Sequence, residues 1–248
     1  MTDARARSTA CTRRLRVAAA WVALVFLVLP SLSRLSFLLR APPAADATDA
    51  AFLAHRPTGL THVVAGLLLL ALTPLQLSAT ARRRWPWLHR WSGRVFVLVG
   101  LAVSMSAGVM NAVFPVIGGL ATRSVIAAMI VAQVTTLSLG LRAISRRDVA
   151  QHRRWMTRAA GVALSAGSAG LFAAPLFAAG VDRDVTVGAA RWIGFVTTLA
   201  VVEGWLRGHV VAGDAAPAPS QTPLLSRPGG PLRDGGDRAL RAARGGDR

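Results

Sequence analysis

Two stretches of this sequence gather the residue types that handle protons, anions and metals. "LHRWSGR" runs from Leu88 to Arg94 and "QHRRWMTR" from Gln151 to Arg158. Each places a histidine beside arginines and a tryptophan, just before a long apolar run. Histidine changes charge near neutral pH, and its neutral ring is a common metal ligand. His89 and His152 could ligate a haem b iron, with Arg90, Arg94, Arg153 and Arg158 at the propionates and Trp155 alongside. The same imidazoles could instead bind a quinone head group, or one another's loop carbonyls. A plainer account covers part of the pattern: arginine and tryptophan at the mouth of a membrane span follow from the cytoplasmic charge bias and the aromatic belt. It does not explain two histidines at matched positions, both expected in loops.

The elements that must position these residues are long and apolar. The chain is 53% hydrophobic and 16% charged, against roughly 25% charged in soluble proteins. Six runs reach the length of about 18 residues that a helix needs to cross a bilayer. They are Val17–Leu39, Leu60–Ala79, Val95–Ile117, Ser124–Ile144, Ala159–Gly180 and Val185–Leu206. Pro30, Pro74 and Pro175 fall inside them and could kink the helices. The expected fold is all-α: a polytopic membrane bundle of six transmembrane helices over residues 17–206, with a polar N-terminal tail (1–16).

All 29 basic residues are arginine, and their placement alternates. The N-terminal tail, the segment 82–94, the segment 142–158 and the tail from Arg207 hold five, five, six and seven of them. The other three connections balance Arg40, Arg56, Arg123 and Arg183 against Asp46, Asp49, Asp182 and Asp184. This asymmetry puts both termini in the cytoplasm and the chain in a bacterial cytoplasmic membrane. It also accounts for the net charge of +18 without nucleic acid. A cleaved leader ending near "APPAADA" is the competing reading of the first span, but its apolar run is long for one. The tail 207–248 is rich in Pro, Gly, Asp and Arg and should lack a fixed structure.

Ionisable residues within spans are costly and raise functional questions. Arg34, His62 and Arg191 fall towards the outer ends of their spans, where they could snorkel or form an outer anion or solute site. Glu203, near an inner end, has Arg207 four residues on as a ready partner. Small residues at four-residue spacing, Gly100, Ser104 and Gly108, then Gly161, Ser165 and Ala169, read as helix contact faces. "PVIGG" (Pro115 to Gly119) should turn tightly and make its two flanking spans an antiparallel pair. One cysteine, Cys11, allows no intramolecular disulfide and no cysteine-based metal site. No span carries two histidines, so two stacked haems are not expected.

The residues also carry a resemblance. His62 opens a span and Gln76 lies near its end. "LHRWSGRVF" (Leu88 to Phe96) and "RRDVAQHRRWMTRAAGVAL" (Arg146 to Leu164) follow. This resembles the bacterial predicted membrane proteins grouped as domain of unknown function 2306, over roughly His55 to Gly180. The resemblance implies a multi-pass membrane module and marks His62, His89, Arg90, Gly93, Arg94, His152, Arg153, Trp155, Met156 and Arg158 as motif positions. The family pattern has tyrosine where this chain has Phe96, so no hydroxyl is available there. It implies no activity. Three readings follow: a redox-linked module with haem b or quinone at the cytoplasmic face, a small-solute or ion transporter, or an assembly partner of another membrane protein. The partner common to all three is the lipid bilayer.

Overall fold

A computed structural model describes residues 28–214 of the chain. The expected basic tail (1–16), the first part of the first expected span and the tail from 215 lie outside the described residues. Every regular element described is helical. A helix over 28–40 (α1) is followed by α2 (Ala47–Ala54), α3 (Arg56–Leu77), α4 (Ala79–Arg84), α5 (Pro86–Val113), α6 (Gly119–Ser145), α7 (Val149–Ala178) and α8 (Arg183–Asp214). Five of these, α3, α5, α6, α7 and α8 through Gly208, are long and apolar enough to cross a membrane. A helix satisfies its own backbone hydrogen bonds, which hydrocarbon cannot do, so it is the natural form for such runs. Pro74 and Pro175 stay inside α3 and α7.

Two expected boundaries move. α5 and α7 begin at Pro86 and Val149, well before the apolar runs themselves. His89 and His152 therefore stand on first turns of helices, not in loops. The causes are local: Pro86 occupies a first helical position, where its missing N–H costs nothing, and the Asp148 carboxylate caps α7 by accepting from Gln151 N at 2.9 Å. At the other end of the chain, α8 continues beyond Leu206 to Asp214, because no proline intervenes before Pro217.

Three apolar clusters hold the helices. Leu69, Phe96, Leu137, Ala159 and Ala160 join α3, α5, α6 and α7. Leu38, Phe52, Val63 and Phe114 seat α1 and α2 against α3 and the end of α5. Val125, Val162 and Phe195 tie α8 to α6 and α7. The outside is as apolar as the inside: Met105 is 74% exposed and Leu120 81%. Water would not tolerate that surface, whereas lipid does.

The small-residue stripes are contact faces, as their spacing predicts. A Cβ at Gly100 would lie 2.9 Å from Leu137 Cδ1 of α6, and one at Gly161 2.7 Å from Val202 Cγ2 of α8. α8 answers with glycines of its own: a Cβ at Gly194 would meet Ser168 Oγ of α7 at 2.7 Å. The turn between α5 and α6 depends on Gly118, whose φ of +85° is left-handed. A Cβ there would also press within 2.9 Å of Gly188 N and 3.0 Å of Asp184 O on α8. Arg147, between α6 and α7, has φ +61° without being glycine.

These two positions predict opposite effects. Gly118→Ala should lower thermal stability in detergent by about 1–2 kcal/mol or more, from the backbone conformation alone. Arg147→Gly should raise it, by up to about 1 kcal/mol. Thermal unfolding followed by circular dichroism separates the two signs.

Candidate functional site

α5 and α7 both start at the end of the bundle where arginines concentrate, and their first turns carry the two histidines. His152 Nδ1 lies 2.8 Å from Gly140 O, in the last turns of α6. A carbonyl only accepts, so this nitrogen bears the proton. In the neutral ring Nε2 then keeps its lone pair. α7 can come this close because Gly140 has no side chain: a Cβ there would meet Met156 Sδ at 2.9 Å and Trp155 Cβ at 3.5 Å. His89 is near enough to feel the charges of Arg82 and His152. Its Nδ1 is buried and has no hydrogen-bond partner among the described residues.

A second layer fixes His89. Gln76, at the end of α3, donates from Nε2 to Ser92 Oγ at 2.6 Å and to His89 O at 3.4 Å. Ser92 Oγ in turn donates to Leu88 O at 2.6 Å. Gly93 lets Gln76 approach, since a Cβ there would sit 3.3 Å from Gln76 Oε1. α4 brings in Arg82, which donates to Gln76 O and Leu77 O, both at 3.2 Å. Burial, with the charges of Arg153 and Arg83, holds the Arg82 guanidinium below its usual pKa. In the sequence Arg82 belongs to the run Arg82–Arg84, which membrane topology alone explains, so this role leaves no local signal.

The other expected residues divide. Arg90, Arg94 and Arg153 are exposed at the same end, and Arg94 stacks over Trp91 with its Cζ 5.1 Å from the ring centroid. Trp85, Trp87 and Trp91 are more than half exposed around them. Arg158 is turned elsewhere. It grips Glu203 of α8 with two bonds, Nε to Oε1 at 2.5 Å and Nη2 to Oε2 at 3.0 Å, and lies 4.7 Å from the Trp155 ring centroid. The expected pairing of Glu203 with Arg207 thus gives way to an interhelical bridge 45 positions apart in sequence. No local signal could reveal it.

At the opposite end, Arg34, His62 and Arg191 are not linked by any hydrogen bond, ion pair or ring contact among the described residues. Arg34 pairs with Asp49 at 2.6 Å and lies 4.5 Å from the Phe52 ring centroid. His62 Nδ1 is 3.1 Å from Ser106 Oγ. Arg191 is exposed on α8. Among the described residues no three His, Cys, Asp or Glu side chains form a metal-binding group. A metal at the Arg-rich end would rest on two imidazoles, the number a haem iron uses.

Two outcomes test these ion pairs. The Arg34 hydrogen bond holds the Asp49 carboxyl below its ordinary value of 3.8, against the opposing effect of burial. A depressed folded-state pKa gives stability that is present above 3.8 and is lost as pH falls through the folded value. Asp49→Asn should remove that acid-side slope from the unfolding curve. For Arg158 and Glu203, single alanine variants should each lower stability, and the double-mutant cycle should show coupling on the order of 1 kcal/mol. Additive losses would mean the bridge contributes nothing.

A family model described as "Predicted membrane protein (DUF2306)" matches residues 59–206. That match runs from α3 into α8 and takes in Glu203, beyond the reach of the resemblance read from the motifs. No curated protein and no solved structure matches the chain.

Proposed function

The chain belongs to this family of predicted membrane proteins, and from that premise we propose that its Arg-rich end is the cofactor site of a redox-linked membrane module, holding haem b between His89 and His152. The observation that carries the reading is the pair of underused imidazoles: His89 Nδ1 is buried without a partner, and His152 is held by Gly140 O with Nε2 left over. A backbone carbonyl on one ring nitrogen is how proteins orient an imidazole that ligates a metal through the other. Arg82, Arg90 and Arg153 supply positive charge for propionates, while Arg158 is committed to Glu203. A quinone is the second reading, favoured by the same lone pair, which would accept from a quinol hydroxyl. Transport through Arg34, His62 and Arg191 ranks lower, since two of the three side chains already have partners.

In this reading residues 17–206 form six spans in a bacterial cytoplasmic membrane. The tails 1–16 and 207–248 and the histidine site face the cytoplasm, and a further membrane protein exchanges electrons with it. The one-sided distribution of arginine supports that orientation.

The test is a reduced-minus-oxidised visible spectrum of the detergent-purified protein from haem-replete cells, with His89→Ala and His152→Ala alongside. The expected result is a b-type haem spectrum in the parent, lost from both variants while each still inserts and purifies. A parent without a haem band overturns the haem reading, and extraction of a bound quinone from the same sample then decides the second. A band that survives both substitutions places the site elsewhere.

A further inference from the structure

A third polar feature lies away from both ends. Gln133 stands near the middle of α6, fourteen positions after Gly119, or about 21 Å along the helix. It is 5% exposed. Its amide nitrogen and its amide oxygen are both buried, and neither has a hydrogen-bond partner among the described residues. The nitrogen faces α5, where a Cβ at Gly100 would lie 3.3 Å from it.

Neighbouring polar groups cannot supply what the amide oxygen needs, a donated proton. The hydroxyls of Ser104, Thr136 and Thr73 donate elsewhere. Ser104 Oγ donates to Gly100 O at 2.9 Å and Thr136 Oγ1 to Ala132 O at 2.7 Å. Thr73 Oγ1 donates to Leu69 O at 2.8 Å. Each bond runs back into the hydroxyl's own helix, a habit of Ser and Thr in membrane segments. Backbone N–H groups here belong to helices. Among the described residues no group supplies this donor.

Its size is bounded by the packing. Phe96 and Leu137, each one turn nearer the Arg-rich end, are 0% and 1% exposed, and Leu69 is 3% exposed. No flat ring or head group passes such a seal from the Arg-rich end. A molecule small enough to fit, able both to donate to Oε1 and to accept from Nε2, is water. A water that donates to Oε1 and accepts from Nε2 makes two of the roughly two to four hydrogen bonds usual for a buried water. We propose that Gln133 anchors a hydration site between α3, α5 and α6, holding at least one water molecule in the middle of the bundle. The site is independent of the histidines, which lie on the far side of Phe96 and Leu137.

The chain has four glutamines, at 76, 133, 151 and 221, so selective glutamine 15N labelling gives a simple side-chain amide spectrum in micelles. Gln133→Leu assigns the resonance, with Gln133→Met serving if the leucine variant does not fold. The expected result is a rotating-frame cross-peak between the Gln133 amide protons and water, opposite in sign to chemical exchange. Exposed Gln151 should show exchange instead. The peak should persist in Ser104→Ala. A Gln133 resonance without a water cross-peak overturns the proposal, and so does a peak that disappears in Ser104→Ala, because magnetisation was then relayed through that hydroxyl.

Discussion

Hydrocarbon offers no hydrogen-bond partners, and most of this structure follows from that constraint. Helices solve it along their length but not at their ends, where the last carbonyls have no donor. Here the donor comes repeatedly from the helix that follows. Arg82 of α4 closes α3 at Gln76 O and Leu77 O. Arg123 of α6 closes α5, donating to Asn111 O and, at 3.2 Å, to Phe114 O. His152 of α7 instead adds a donor to Gly140 O, a carbonyl still inside the α6 ladder. A positive or polarised donor at a helix C-terminus also meets the negative end of the helix dipole. These contacts tie the end of one helix to the helix that follows it.

Such ties alone do not make a bundle. Lipid solvates leucine as well as another helix does, so association comes from close fit and polar contacts. Gly100, Gly161, Gly188 and Gly194 supply the fit, each admitting a side chain or backbone of the next helix. Polar contacts then settle α8 along its length: Asp184 Oδ1 accepts from Gly118 N at 3.1 Å, Trp192 Nε1 donates to Ala121 O at 3.1 Å, and Glu203 meets Arg158. The histidine site inherits its geometry from this scaffold. Gly140 sets the approach of α7, and Gln76 with Ser92 sets the first turn of α5.

Much of this was legible in the sequence, and the boundary of legibility is physical. Apolar length and the small-residue stripes are properties of neighbouring residues, so the helices α3 and α5 to α8 and the contact faces at Gly100 and Gly161 could be read directly. Helix starts precede the apolar runs, because hydropathy responds to the lipid-facing run and not to the polar first turn that Pro86 and Asp148 begin. Partners distant in sequence were invisible. Glu203 has an arginine four positions away and takes one 45 positions away instead. Arg82 looked like topology, and only its reach to Gln76 O gives it a structural role. Gln133 drew no notice because a single amide in an apolar run has no pattern.

The Arg158–Glu203 bridge also bears on how the chain reaches the bilayer. A lone ionised carboxylate near the helix centre costs about 3 kcal/mol to insert, and less towards an end. α8 carries that carboxylate, and α7 carries the cation that neutralises it. The two helices are joined by only four residues, 179–182. Neither charge has to face lipid alone if α7 and α8 leave the insertion machinery as one hairpin. Inserted together as one hairpin, α7 and α8 would carry the two charges into the bilayer already paired.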